Sequence, residues 1–291
     1  MATYYVYSGA GGANNGTSWT DAYLTLAQAV TAATTSGDEI LVHYTHKETY
    51  SVGTVYTFTN DVQIYTVDKD NSDAYTKMGS NGWVGKSNGN NQTWNLTDCV
   101  VYVRGLTPET NGANAGSDIS FGIGARGQII FEDCDINHLA TSGSAVLAVN
   151  GLNEDSGYIK FIDCDVAFGG TDQFFKVNGH FEWIGGSLGG AAIGHIIEFQ
   201  NNRARGSTSY LEGINLSSAA SGAALAELGD SNSPTSRADF VNCKLPTSYV
   251  LADNTPVENM SGVRVHVFDC DTGDTHTSIA YGDAMGTIIT D

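Results

Sequence analysis

Two aspartates are the residues of this sequence whose type and spacing come nearest to a catalytic pair. Asp135 and Asp165 each follow an Asp-Cys dipeptide, in Phe131-Glu132-Asp133-Cys134-Asp135-Ile136 and Phe161-Ile162-Asp163-Cys164-Asp165-Val166. Stacked as neighbouring parallel strands, about 4.8 Å apart, their carboxylates approach the separation of the two acids of a retaining glycosidase, or share a cation. Solvated surface is the plainer account in a chain with 32 Asp and Glu against 13 Lys and Arg.

Nothing else in the sequence completes a site. Hydrolysis of an acidic glycan takes carboxylates converging on one glycosidic bond, and elimination takes an Arg or Lys base beside a carboxylate-bound cation. The N-T-D, D-D, G-H-G and R-I-K phrases of polygalacturonase-like enzymes are missing, Gly179-His180 being followed by Phe181. His43 and His46 lie three apart, which on a strand sends them to opposite faces, so both read as surface or turn groups. His180 and His195 fall on neighbouring repeats and read the same way, stacked at most. The five cysteines form no C-x-x-C pair and no Cys/His zinc spacing; they read as small core residues. The loop from Gly9 to Gly16 imitates a dinucleotide-binding turn, but Asn14 stands where the third glycine belongs. No catalytic, cofactor-binding or metal-binding residue is assigned, and no cofactor is expected.

The element that positions Asp135 and Asp165 is a repeat. The six-residue phrase recurs around Cys99, Cys134, Cys164, Cys243 and Cys270, and without the cysteine around Gly186 and Ile214, at intervals of 22 to 35 residues. Its first column is large and apolar, its fourth and sixth mostly apolar. Its third holds only Asp, Asn or Gly: Asp98, Asp133, Asp163, Gly185, Gly213, Asn242 and Asp269. These residue types tolerate a left-handed backbone, so the third column is a bend that lets positions one and four both face the core. A second ladder of alternating strands precedes it at 146–151, 174–179, 196–201 and 224–229. Short strands recurring at this interval predict an all-β fold, a right-handed single-stranded parallel β-helix.

One domain is expected over 1–291. Residues 1–40 form a strand and a capping helix opened by Ser18, with Asp21 completing an approximate capping box, and stopped by Gly37. Coils run over 41–272, with 68–95 leaving the stack as a long loop and further inserted loops at 107–117, 203–209 and 229–237. Strands at 273–291 end on an apolar edge that a partner chain or further sequence covers. A net charge of −19 argues against nucleic acid and against an anionic membrane surface. The start of the chain lacks a basic and apolar leader, which points to assembly in a cytoplasm.

The opening Tyr4-Tyr5-Val6, the loop through Gly16, Thr17-Ser18-Trp19 and the stretch ending Gly37-Asp38-Glu39-Ile40 resemble the start of many pectate-lyase-like β-helix proteins. Val267-Phe268-Asp269-Cys270-Asp271-Thr272-Gly273-Asp274-Thr275-His276 and Tyr281-Gly282-Asp283-Ala284-Met285-Gly286-Thr287 are similar to β-helix proteins of tailed, notably marine, phages. The resemblance implies a virion component: a non-enzymatic capsid decoration protein on the major capsid protein, or a tail spike that binds or cuts host polysaccharide. It implies virion proteins as partners and a homo-oligomer, in many phage β-helices a trimer.

Overall fold

The structure, a computed structural model, describes residues 1–88, 91–113, 117–124, 126–141, 147–151, 158–199, 206–228, 236–253, 263–271 and 289–290. It is mostly β, and nearly all its strand pairs are parallel. The main sheet runs through Thr3–Val6, Asp38–His43, Val62–Asp68, Val100–Arg104, Gln128–Glu132, Tyr158–Phe168, His180–Gly190, Thr208–Glu212, Ser236–Val241, Val263–Phe268 and Ile289–Thr290. The second sheet holds Thr54–Phe58, Gln92–Leu96, Ile119–Ile123, Leu147–Gly151, Phe175–Asn178, His195–Phe199, Ala224–Leu228 and Val250–Asp253. The chain alternates between the sheets, each strand landing beside the one a repeat earlier. Inward side chains of the two sheets meet in one core: Phe121 lies 5.5 Å from Phe131, and Phe175 5.3 Å from Trp183. Among the described residues no helix is long and apolar enough to cross a membrane.

The bend column behaves as its residue types require. Asp133, Asp163, Asn242 and Asp269 have φ between 49° and 51°, while Gly185 and Gly213 have 70° and 66°. The first column, Phe131, Phe161, Trp183, Leu211, Phe240 and Val267, lies in register and buried. One copy of the phrase is displaced. Phe131 stands over Val103, and Asp135 N–H bonds to the Leu106 carbonyl, so the bend beneath Asp133 is Gly105 (φ 78°) and not Asp98. Asp98 (φ 52°) turns a different corner, from Gln92–Leu96 in the second sheet into the main sheet. Both corners ask for a left-handed residue followed by a small buried group, so one phrase serves both.

The expected loop over 68–95 is largely built into the sheets. Trp83–Asn88 pairs in parallel with Lys47–Tyr50 and with Pro108–Gly112, which in turn pairs with Asp135–Ala140. Gln92–Leu96 belongs to the second sheet and buries Trp94. The inserted loop at 107–117 is likewise in part a strand, with Pro108 at the first position, where a missing N–H costs least. Of the loop expected at 203–209, residues 208 and 209 already belong to the strand Thr208–Glu212 and 203–205 lie outside the described residues, as do 229–235 and the C-terminal stretch 272–288.

The helix α1 is Leu26–Ala32, not a helix from Ser18. Ser18 Oγ does accept the Asp21 N–H at 3.1 Å, yet the Asp21 carbonyl is taken by Asn15 and Gly16 and Tyr23 is bonded to Tyr5 and Tyr7. That leaves 18–25 as a turn laid against the first strand. The true cap is Thr25, whose side chain accepts from Gln28 N–H while the Gln28 side chain accepts from Thr25 N–H. The face Leu26, Ala29, Val30 packs on the first strands of both sheets.

Candidate functional site

The register that stacks the bends places Asp135 directly beside Asp165, as the repeat predicts, and continues through Ser187, Asn215, Lys244 and Asp271 as one outward column. Over its start lies a segment that folds back along the main sheet. Ala74–Tyr75 pairs antiparallel with Val62–Asp68; Thr76 N–H bonds to Thr66, Met78 N–H to Gly105, and Thr107 Oγ1 to the Gly79 carbonyl. Met78 is fully buried and anchors it. A Cβ on Gly105 would stand 2.2 Å from Thr66 Oγ1 and 2.9 Å from the Tyr75 ring, so only glycine admits this close approach.

The segment delivers Lys77 into the carboxylates. Its Nζ lies 2.7 Å from Asp135 Oδ1, 3.2 Å from Asp133 Oδ1 and 3.9 Å from Asp165 Oδ2. Burial by itself would lower the ammonium pKa; Asp135 and Asp133 outweigh it and hold the group above its ordinary value of 10.5. Tyr75 donates its hydroxyl to Asp133 and stacks under the Arg104 guanidinium at 4.1 Å. Ser187 Oγ donates to Asp165 Oδ1 at 2.6 Å. The cation that Asp135 holds, with Asp165 at the edge of its reach, is thus an ammonium of the chain itself.

No protein family, characterised protein or solved structure matches this chain. What the site can do is therefore argued from its own atoms.

Below the bend, the outer face of the main sheet carries half-buried tyrosines scattered among charges. Gln63, Tyr102, Ile130, Lys160, Glu182, Tyr210 and Asp239 follow one another in register. Tyr65 lies 5.7 Å from Tyr102, which donates to Glu132 at 2.7 Å; Tyr210 donates to Glu212 at 3.0 Å; Lys160 pairs with Glu182 at 3.0 Å. For Glu182, burial raises the pKa, but Tyr158 and Lys160 outweigh it and hold it below its ordinary value. Neither Lys77 nor this row is named by a motif. Alternation within each strand predicts the outward tyrosines; the arrival of Lys77 depends on a segment whose local sequence reads as loop.

The other residues fall as follows. Cys99, Cys134, Cys164 and Cys243 are buried, and Cys164, Cys243 and Cys270 each give their S–H to a carbonyl one repeat earlier, of Phe131, Leu211 and Phe240. They serve the core, as the column implies. Cys270 stands apart: its sulfur accepts the Cys243 N–H at 3.3 Å, and the adjoining Cys243 side chain and this N–H lower its pKa against the burial that raises it. His180 and His195 are not brought together, since one lies in the main sheet and the other in the second. His43 and His46 are buried, against the surface reading. His46 accepts Ser8 N–H on Nδ1 and meets Glu48 Oε2 at 3.0 Å, and the same oxygen accepts the first N–H of α1, from Leu26, at 2.9 Å. His43 is covered by Tyr7, Trp19 and Tyr44.

Proposed function

We propose that the two sheets close into a right-handed, single-stranded parallel β-helix capped by α1, and that this rod is a non-enzymatic structural protein of a tailed-phage particle, seated on the outer surface of the major capsid protein. The observation that carries the non-enzymatic reading is the occupied carboxylate column. Lys77 and Ser187 engage Asp135 and Asp165 from within the chain, and a hydrolase pair needs those oxygens free for substrate and water. The virion setting rests on the terminal segments that resemble phage β-helix proteins. A −19 charge keeps such a rod soluble before assembly.

A second reading has one observation in its favour. The outward tyrosines Tyr65, Tyr102, Tyr158 and Tyr210, spread over three register columns of the main sheet among carboxylates and lysine, suit stacking on sugar rings, which is what a tail spike or receptor-binding protein would present to host polysaccharide.

Electron cryomicroscopy of particles from the source separates the two. Density for this chain on the head lattice is the expected result; density at the tail tip favours the glycan reading, and glycan binding lost in Tyr102→Ala would then support it. Absence from purified particles removes both.

A further inference from the structure

We propose that His43, Asp68 and Asp70 form a binding site for a divalent transition-metal ion such as Zn2+, at the first turn after the strand Val62–Asp68. Among the described residues this is the one trio of candidate ligands whose donor atoms all lie within 4.8 Å of one another. Acidic residues alone would not mark a site on so acidic a chain. The imidazole does: the His43 side chain is only 4% exposed, and its Nε2 has no hydrogen-bond partner, its nearest acid being Asp68 Oδ1 at 3.8 Å. A buried ring nitrogen left unpartnered costs free energy, and a metal ion placed between it and the carboxylates removes that cost.

The surroundings prepare the ring for this role. His43 Nδ1 lies 2.8 Å from Thr45 Oγ1 and also accepts the Thr45 N–H at 3.3 Å; an ion on Nε2 takes the place of the proton there, and the ring proton moves to Nδ1 to be given to Thr45 Oγ1, the orienting bond that metal-bound imidazoles use. Tyr7, Trp19 and Tyr44 wall the ring. Trp19 is tied over it by an Nε1–H bond to Asp73.

Asp68 is fixed, because it caps the 3-10 turn Lys69–Asn71 by accepting Asp70 N–H at 3.0 Å. The Asp70 side chain is 75% exposed and free of packing, and that matters: donors about 2.1 Å from one ion stand at most about 4.2 Å apart, so the trio must draw in slightly. Lys69 Nζ now holds Asp70 Oδ1 at 2.6 Å and is the charge the ion displaces. One nitrogen and two carboxylate oxygens suit Zn2+ or its transition-metal neighbours better than Ca2+ or Mg2+, which take oxygen alone.

The test is titration calorimetry of the untagged, EDTA-stripped chain with Zn2+. We expect one ion per chain, weakened at least tenfold by both His43→Gln and Asp70→Asn, and tightened by Lys69→Gln, which removes the competing charge. Asp70 is exposed, so its variant folds whether or not the His43 variant does. No stoichiometric binding overturns the site, as does binding that Asp70→Asn leaves unchanged.

Discussion

At the scale of a residue, Lys77 decides how the acidic column behaves. Its ammonium is partly buried, 27% exposed, between Asp135 and Asp133, a setting worth more than a surface pair and less than a fully desolvated one, on the order of 1 kcal/mol. Its pKa is raised in the folded chain, so its contribution is fully present below the unfolded value of 10.5 and is lost as pH climbs through the folded value. Lys77→Met should therefore unfold at lower urea than the parent from pH 7 to 9, and the difference should shrink above pH 10.5. A gap that stays constant to the most alkaline pH would mean that packing of the side chain, and not its charge, is what counts. None of this was legible at position 77. The bends were, because Asp, Asn and Gly are the residues that accept positive φ, and the phrase could be read off Asp133, Asp163, Asn242 and Asp269. What the phrase could not say is which corner it turns, and Asp98 shows the ambiguity.

At the scale of an element, the start of α1 and the segment over the bends are the parts that sequence reading misplaced, for one reason. Their bounds are set by hydrogen bonds to distant strands. Ser18 and Asp21 do bond, but the Asp21 carbonyl is spent on Asn15 and Gly16, whereas Thr25-Leu26-Ala27-Gln28 carries the true capping box. His43 reads as exposed on its strand until Trp19 and Tyr7 cover it. The anchor of α1 is equally non-local. Glu48 Oε2 accepts from Leu26 N–H and meets His46 in a site that excludes water. Glu48→Ala leaves a buried donor without a partner, at a cost of about 1–3 kcal/mol, and should release the helix first. Amide exchange over 26–33 is expected to accelerate while the strand His195–Phe199 keeps its protection; unchanged exchange at the helix would show that its apolar face alone holds it.

At the scale of the whole molecule, the order of strands sets how a defect spreads. Among the described residues the parallel pairings of both sheets join each strand to its counterparts one repeat before and after, so stability approximates a sum of repeats and their interfaces, and the two ends communicate through the middle. Phe161 sits at that point. It is fully buried, with ring contacts to Phe131 at 5.7 Å on one side and to Phe181 at 5.2 Å on the other, and to Phe121 across the core at 6.2 Å. Phe161→Ala removes these contacts and leaves a cavity, a loss of about 3–5 kcal/mol. In a two-layer protein with a single interlocked core, that loss would lower one cooperative transition. Here it should instead uncouple the repeats: exchange in Gln92–Leu96 and in His195–Phe199 should follow one midpoint in the parent chain and two in the variant. A single shared midpoint in the variant would mean that contacts beyond the neighbouring repeat bind the two halves together, and the nearest-neighbour account of this fold would have to be given up.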